Sequence, residues 1–130
     1  MMDRELFKLE YIIKSSPTVL YNYLRTPSGL SEWFADNVNI KDDVFSFFWD
    51  GSEDEARLIA TRDKEFVRFK WLYDEDEDED YYFEFRIKVD SLTGETALII
   101  TDFAEPDEKD EAMLLWEKQI TALKRLLGGA

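Results

Sequence analysis

The sequence predicts a single α+β domain, in which a curved antiparallel sheet of about seven strands wraps around one long C-terminal helix, with two short helices after the first strand. Three observations support this prediction. Segments of alternating apolar and polar residues recur along the chain, two proline-led helix starts follow the first of them, and the last segment is amphipathic with helical spacing. The length of 130 residues fits one domain, predicted here to span 1–130.

The first strand and the two short helices are predicted from local signals. The segment from Glu5 to Ile13 alternates, with apolar residues at the odd positions from Phe7 onwards. Ser16 and Thr26 each precede a proline, which is typical of a capping residue followed by the first position of a helix. Two short helices are therefore expected before the rest of the sheet.

The middle of the chain consists of extended segments separated by turn signals. The predicted strands are Val44 to Asp50, Glu55 to Arg62, Glu65 to Tyr73, Tyr81 to Val89 and Thr96 to Phe103, with a weaker one near Val38 to Ile40. Their apolar faces need a cover, and only the last helix is long enough to provide it.

The C-terminal helix is predicted from Asp107 to Leu127. Its apolar residues, among them Trp116 and Ile120, follow a spacing of three and four. Acidic residues crowd its first turns, and Lys124 and Arg125 occupy its last turn, which suits the helix dipole.

Composition excludes several classes of function. The chain has no Cys and no His, which removes the commonest general base and the usual transition-metal ligands, so no metal and no cofactor are expected. A net charge of −14 disfavours nucleic acid as a partner. No membrane insertion is expected, because eighteen consecutive apolar residues occur nowhere in the chain, and a cytoplasmic location is predicted.

Seven consecutive acidic residues run from Asp74 to Asp80 between two aromatic strands. The run does not fit a calcium-binding EF-hand loop, since Phe85 stands where the bidentate Glu is required when Asp74 is position one. The prediction is a solvated hairpin tip, whose charge discourages aggregation. A loose cation site or a contact for a basic partner remains the alternative.

Three carboxylates are candidates for a displaced pKa because apolar residues flank them: Asp50, Asp102 and Glu32. The ordinary interpretation is that each is solvated or caps a turn. No arrangement of nucleophile and base is evident, so no catalytic residue is assigned.

Three stretches carry a family resemblance: "SSPTVLYNYLRTPSGLSEWFAD", "VFSFFWDGSEDEARLIATRDKEFVRFKW" and "LLWEKQITALKRLL". Together with the element order, they resemble the helix-grip fold of the START and Bet v type superfamily (SRPBCC). They look most like its branch related to activators of the heat-shock chaperone ATPase. The resemblance implies a curved sheet gripping the last helix around an apolar cavity, which relatives use to hold lipids or other hydrophobic molecules.

The resemblance also implies which residues line that cavity. They are Trp33, Phe34, Phe47, Trp49, Phe69, Trp71, Phe83, Phe85, Trp116 and Ile120. The alternative is that these large side chains fill one another's space as an ordinary core.

The preferred hypothesis is non-catalytic binding of a hydrophobic small molecule or lipid. A protein-interaction module resembling the chaperone activators is the alternative, and a cyclase- or hydrolase-like enzyme of the same superfamily is the third possibility. The chain is expected to be a monomer or a homodimer.

Overall fold

The computed structural model describes residues 3–76 and 79–128. Within them the chain forms a strand, two short helices, six further strands and a long helix, in that order. The strands are β1 (Glu5–Ile13), β2 (Asn37–Lys41), β3 (Val44–Trp49), β4 (Ser52–Arg62), β5 (Phe66–Trp71), β6 (Phe83–Val89) and β7 (Thr96–Ala104). The helices are α1 (Pro17–Arg25), α2 (Pro27–Leu30) and α3 (Lys109–Leu126), with a 3-10 turn at Leu72–Asp74.

The seven strands form one antiparallel, curved sheet in the order β1-β7-β6-β5-β4-β3-β2. Neighbours in the chain pair as hairpins from β2 to β7, while β1 joins β7 and places Phe7 opposite Asp102. A register shift between Leu58 and Ala60 marks a bulge in β4, a feature that increases strand twist. The predicted fold class is confirmed.

Both helices after β1 begin as predicted. The Ser16 hydroxyl accepts a hydrogen bond from the Val19 amide at 3.2 Å, and the Thr26 hydroxyl accepts one from the Gly29 amide at 3.0 Å. The two helices touch at Gly29, where an added Cβ would overlap the Asn22 carbonyl oxygen. Only glycine therefore allows this approach.

The core lies between the concave face of the sheet and the three helices. Strand alternation puts Phe45, Phe69 and Phe85 inside with no exposed surface. From α3, Trp116 and Ile120 enter the same layer. The helix thus covers the apolar face of the sheet, as its periodicity predicted.

Several element boundaries differ from the prediction. The strand predicted to reach Tyr73 ends at Trp71, because Leu72–Asp74 turns into a 3-10 helix. The following strand begins at Phe83 rather than Tyr81. Strand β4 begins earlier than predicted, since Gly51 with φ 80° allows a tight turn directly after β3.

Among the described residues, no helix is both long enough and apolar enough to cross a membrane.

Candidate functional site

The aromatic residues predicted to line a cavity come together under α3. Eight of the ten predicted residues are buried, whereas Trp49 and Trp71 are half-buried. Phe34 lies at the centre, with its ring centroid 5.0 Å from that of Phe47 and 5.7 Å from that of Trp116. Much of the space between the sheet and α3 is occupied by these rings. That they line a ligand cavity stays a prediction.

Indole hydrogen bonds hold several of these rings in place. The Trp33 Nε1 donates to the Tyr23 carbonyl at 2.8 Å, and the Trp49 Nε1 donates to the Phe34 carbonyl at 2.8 Å. The same Phe34 carbonyl accepts a hydrogen bond from the Gln119 side chain at 2.9 Å. The segment after α2 is therefore tied both to β3 and to α3.

A cleft of about 640 Å³ opens at one end of this aromatic layer, beside the N-terminal half of α3. It is bounded by the residue preceding β1, the 3-10 turn, the residues before β6, the end of β7 and the start of α3. Its lining consists of Arg4, Trp71, Tyr73, Asp74, Tyr81, Tyr82, Asp102, Phe103, Ala104, Glu105, Glu108, Glu111, Ala112 and Leu115. Ten residues were predicted to line a cavity. Among the described residues, Trp71 is the one of these ten that lines this cleft.

A partly buried ion pair forms one wall of the cleft. Arg4 binds the Asp74 carboxylate with two hydrogen bonds, of 2.9 and 2.8 Å. Asp74 is only 2% exposed, and the guanidinium lies 4.3 Å from the centroid of the Tyr81 ring. The hydrogen bonds from the guanidinium to Asp74 raise the pKa of Arg4.

Asp102 lies on the concave face of β7 and is the most perturbed carboxylate of the cleft. Its Oδ2 accepts a hydrogen bond from the Trp116 indole at 2.9 Å, and its Oδ1 accepts one from the Phe103 amide at 2.8 Å. Burial raises the pKa of Asp102 to about 6, although both hydrogen bonds oppose the shift. The two other carboxylates that the sequence singled out, Asp50 and Glu32, are exposed.

The cleft is strongly acidic. Five carboxyl groups line it against one guanidinium, and that guanidinium is already bound to Asp74. Desolvation and the nearby carboxylates of Asp74 and Asp54 raise the pKa of Tyr73 to about 12. This shift has the direction expected when negative charge surrounds a phenol.

The acidic run does not behave as one solvated turn. Its first residue, Asp74, is buried in the cleft wall, which corrects the prediction for that position. Glu75 binds Arg57 at 2.7 Å, whereas Asp80 is 96% exposed. Positions 77 and 78 of the run lie outside the described residues.

Sequence reasoning missed Arg4 and Asp74 as site residues. The 3-10 turn carries Asp74 back towards β1, where Arg4 meets it. No local signal marked this pair, because Asp74 is the last residue of the 3-10 turn and not the residue directly after β5.

The opposite, convex face of the sheet carries a different charged group. Glu84 is 5% exposed and binds Arg68 at 2.6 Å and Arg86 at 3.0 Å. Desolvation would raise the pKa of Glu84, but the hydrogen bonds from the two arginines outweigh it and lower that pKa. A smaller cleft of about 260 Å³ lies beside this group.

Comparison with solved structures gives similar folds from several bacteria. BfR322 from Bacteroides fragilis is 39% identical, with a TM-score of 0.68, over 96% of this chain and 92% of its own. The Aha1 dimer from Colwellia psychrerythraea is 16% identical, with a TM-score of 0.77, over 95% and 96%. MLL2253 from Mesorhizobium loti is 20% identical, with a TM-score of 0.76, over 95% and 97%. For the Aha1 dimer and MLL2253, which are 16% and 20% identical, the similarity shows the fold alone.

No curated protein matches the sequence. A family model described as the START-like superfamily domain matches residues 1–129. This match agrees with the curved antiparallel sheet, the two short helices after β1 and the covering C-terminal helix. The chain therefore belongs to the START-like superfamily.

Proposed function

We propose that this protein binds a hydrophobic small molecule or lipid without catalysing a reaction on it, and that the cleft beside α3 is where the molecule enters or lies. The observation that carries the proposal is the cleft itself, whose volume of about 640 Å³ falls in the range of small-molecule sites. Aromatic side chains, including Trp71 and Tyr73, form part of its walls. Membership of the START-like superfamily supports the same function.

The chemistry of the cleft favours binding over turnover. The sequence has no His and no Cys. Burial raises the pKa of Asp102 to about 6, but both its oxygens already accept hydrogen bonds from the protein. A general acid or base must instead reach the proton of a bound substrate.

A fluorescent apolar probe tests the proposal. N-phenyl-1-naphthylamine is uncharged and brightens in apolar surroundings, so its titration reports binding in a cleft of this kind. The variant Ala112→Trp places a large ring in the cleft, whereas Leu114→Trp adds the same ring at an exposed position of α3 outside the lining. The control therefore introduces the same indole on the same helix outside the cleft.

We expect Ala112→Trp to weaken probe binding by about tenfold or more, because the indole occupies the volume that the probe needs. Leu114→Trp should leave binding unchanged. If the wild-type protein did not enhance the probe fluorescence, or if both variants behaved alike, the cleft would not be the binding site.

A second candidate function is a protein-interaction module, including a homodimer. It is favoured by exposed apolar side chains on the edge strand β1, where Leu6 and Ile12 are 46% and 48% exposed. Sedimentation of the wild type and of Ile12→Asp tests it, with Leu92→Asp in a turn as the control. A dimer lost only in Ile12→Asp would support this surface, and a wild-type monomer at all concentrations would refute the homodimer.

A further inference from the structure

We propose that the ligand of the cleft beside α3 is an amphiphilic organic cation, with an ammonium-type head and an apolar body. This inference rests on the proposed function, because it requires that the cleft binds a small molecule. It goes beyond that function by naming the charge of the ligand.

The charge of the lining is the first argument. Asp102, Glu105, Glu108 and Glu111 face the cleft, and among the described residues none of the four forms a salt bridge. Arg4, the basic member of the lining, has its charge matched by Asp74. A cleft lined by one sign of charge with low-dielectric walls attracts the opposite charge and repels a fatty-acid carboxylate.

The aromatic walls are the second argument. The rings of Trp71 and Tyr73 stack with centroids 5.8 Å apart and planes 8° from parallel, and Tyr73 is 62% exposed. An organic cation over such a ring face gains a cation–π interaction in addition to charge attraction. A bare metal ion would gain nothing from these rings.

The cleft already holds one cation in this manner. The Arg4 guanidinium lies 4.3 Å from the centroid of Tyr81 while its nitrogens bind the Asp74 carboxylate. Aromatic face and carboxylate thus act together on a positive group within the protein. The same lining offers Trp71 and Tyr73 as further rings, and the carboxylates of Glu105, Glu108 and Glu111, which form no salt bridge among the described residues.

The apolar part of the ligand has its own wall. Ala104, Ala112 and Leu115 line the cleft, and Leu115 is 59% exposed. Covering this surface removes apolar area from water. The lining therefore suits a molecule with one charged end and one apolar end.

The test compares three ligands with unbranched ten-carbon chains: decyltrimethylammonium, decanol and decanoate, whose tenth carbon is the carboxylate. Each is titrated into the complex of the wild-type protein with N-phenyl-1-naphthylamine near neutral pH and at low salt, and the loss of probe fluorescence reports displacement. We expect the ammonium compound to bind at least about tenfold more tightly than decanol, and decanoate more weakly than decanol. Added salt should narrow the difference between the ammonium compound and decanol.

Two double variants locate the source of the preference. Glu108→Gln/Glu111→Gln removes two exposed charges from the lining, and Asp110→Asn/Glu117→Gln removes two exposed charges from α3 outside it. The first pair should reduce the preference for the ammonium compound over decanol, measured on the same variant, by about threefold or more. The second pair should keep the wild-type preference.

The outcomes separate this inference from the proposed function. If the neutral probe binds in the cleft but the three ten-carbon ligands bind equally, the cationic ligand is refuted and the apolar site stands. The cationic ligand is also refuted if both double variants reduce the preference for the ammonium compound equally, because the net charge of the protein, and not the charge of the lining, would then be the cause. If the probe does not bind at all, the proposed function itself fails.

Discussion

The protonation of Asp102 should make its contribution to stability depend on pH near neutrality. Burial raises the pKa of this carboxyl from 3.8, its usual value, to about 6 in the folded protein. The folded state therefore binds a proton more tightly than the unfolded state does. The resulting stabilisation is fully present below the unfolded pKa and is lost as the pH rises through the folded pKa.

The size of the effect follows from the shift. Keeping Asp102 ionised in the fold costs about 3 kcal/mol relative to water, because each pKa unit corresponds to 1.36 kcal/mol and the shift is from 3.8 to about 6. Between about pH 5 and about pH 8, the contribution of Asp102 to the free energy of unfolding should fall by about 1.4 kcal/mol. This pH range lies above the more acidic pH at which the net charge of the protein approaches zero.

The assay is urea unfolding followed by tryptophan fluorescence, for the wild type and Asp102→Asn across this pH range. The amide has one oxygen and cannot accept both the Trp116 and Phe103 hydrogen bonds, which adds a pH-independent cost of about 1 kcal/mol. The difference between the two proteins should nevertheless shift by about 1.4 kcal/mol in favour of the variant as the pH rises. Asp50→Asn, at an exposed carboxylate, is the control. Parallel stability curves for the wild type and Asp102→Asn would refute the reasoning.

Three further changes test the packing around the site by the same unfolding assay. Arg4→Ala leaves the Asp74 carboxylate, which is 2% exposed, without its partner and should lower the free energy of unfolding by about 3 kcal/mol. Removing both side chains should lower it by less than that single change. Gly29→Ala forces a Cβ into the backbone of α1 and should cost more than about 2 kcal/mol, while Ser28→Ala, exposed on the same helix, should cost under about 0.5 kcal/mol. Glu84→Gln removes a buried charge held by two arginines and should cost about 2 kcal/mol at neutral pH. Because the folded pKa of Glu84 is lowered, that cost should shrink as the pH falls through it, and a constant cost would argue against the ion pairs as its source.

The elements of the fold could be predicted because their signals are local. Alternation from Phe7 onwards marks β1, and a hydroxyl residue before a proline marks the start of α1 and α2. Each signal lies within a few residues of the feature it predicts. The boundary errors described above fall at Ser52, at Leu72–Asp74 and at Phe83, next to turns or irregular segments where apolar periodicity carries no information.

The candidate site could be predicted only in part. Asp102 was singled out for its apolar neighbours, and its burial and raised pKa match that reasoning. Trp71 was predicted to line a cavity and faces the cleft. Arg4 and Asp74 were missed because they are separated by 70 positions in the chain, and no local pattern relates them.

The sequence by itself determined the class of fold, the order of its elements and the aromatic content of its interior, since these depend on periodicity and composition. Only the tertiary structure decided where a cleft is left between the packed side chains. Ring packing around Phe34 occupies the middle of the domain, and the approach of the 3-10 turn to the start of β1 leaves the cleft beside the N-terminal half of α3. It also decided that one residue of the acidic run is buried while others are solvated. The physical reason is that burial and charge pairing depend on which distant segments of the chain come into contact. Those contacts form only when the sheet packs around the helix.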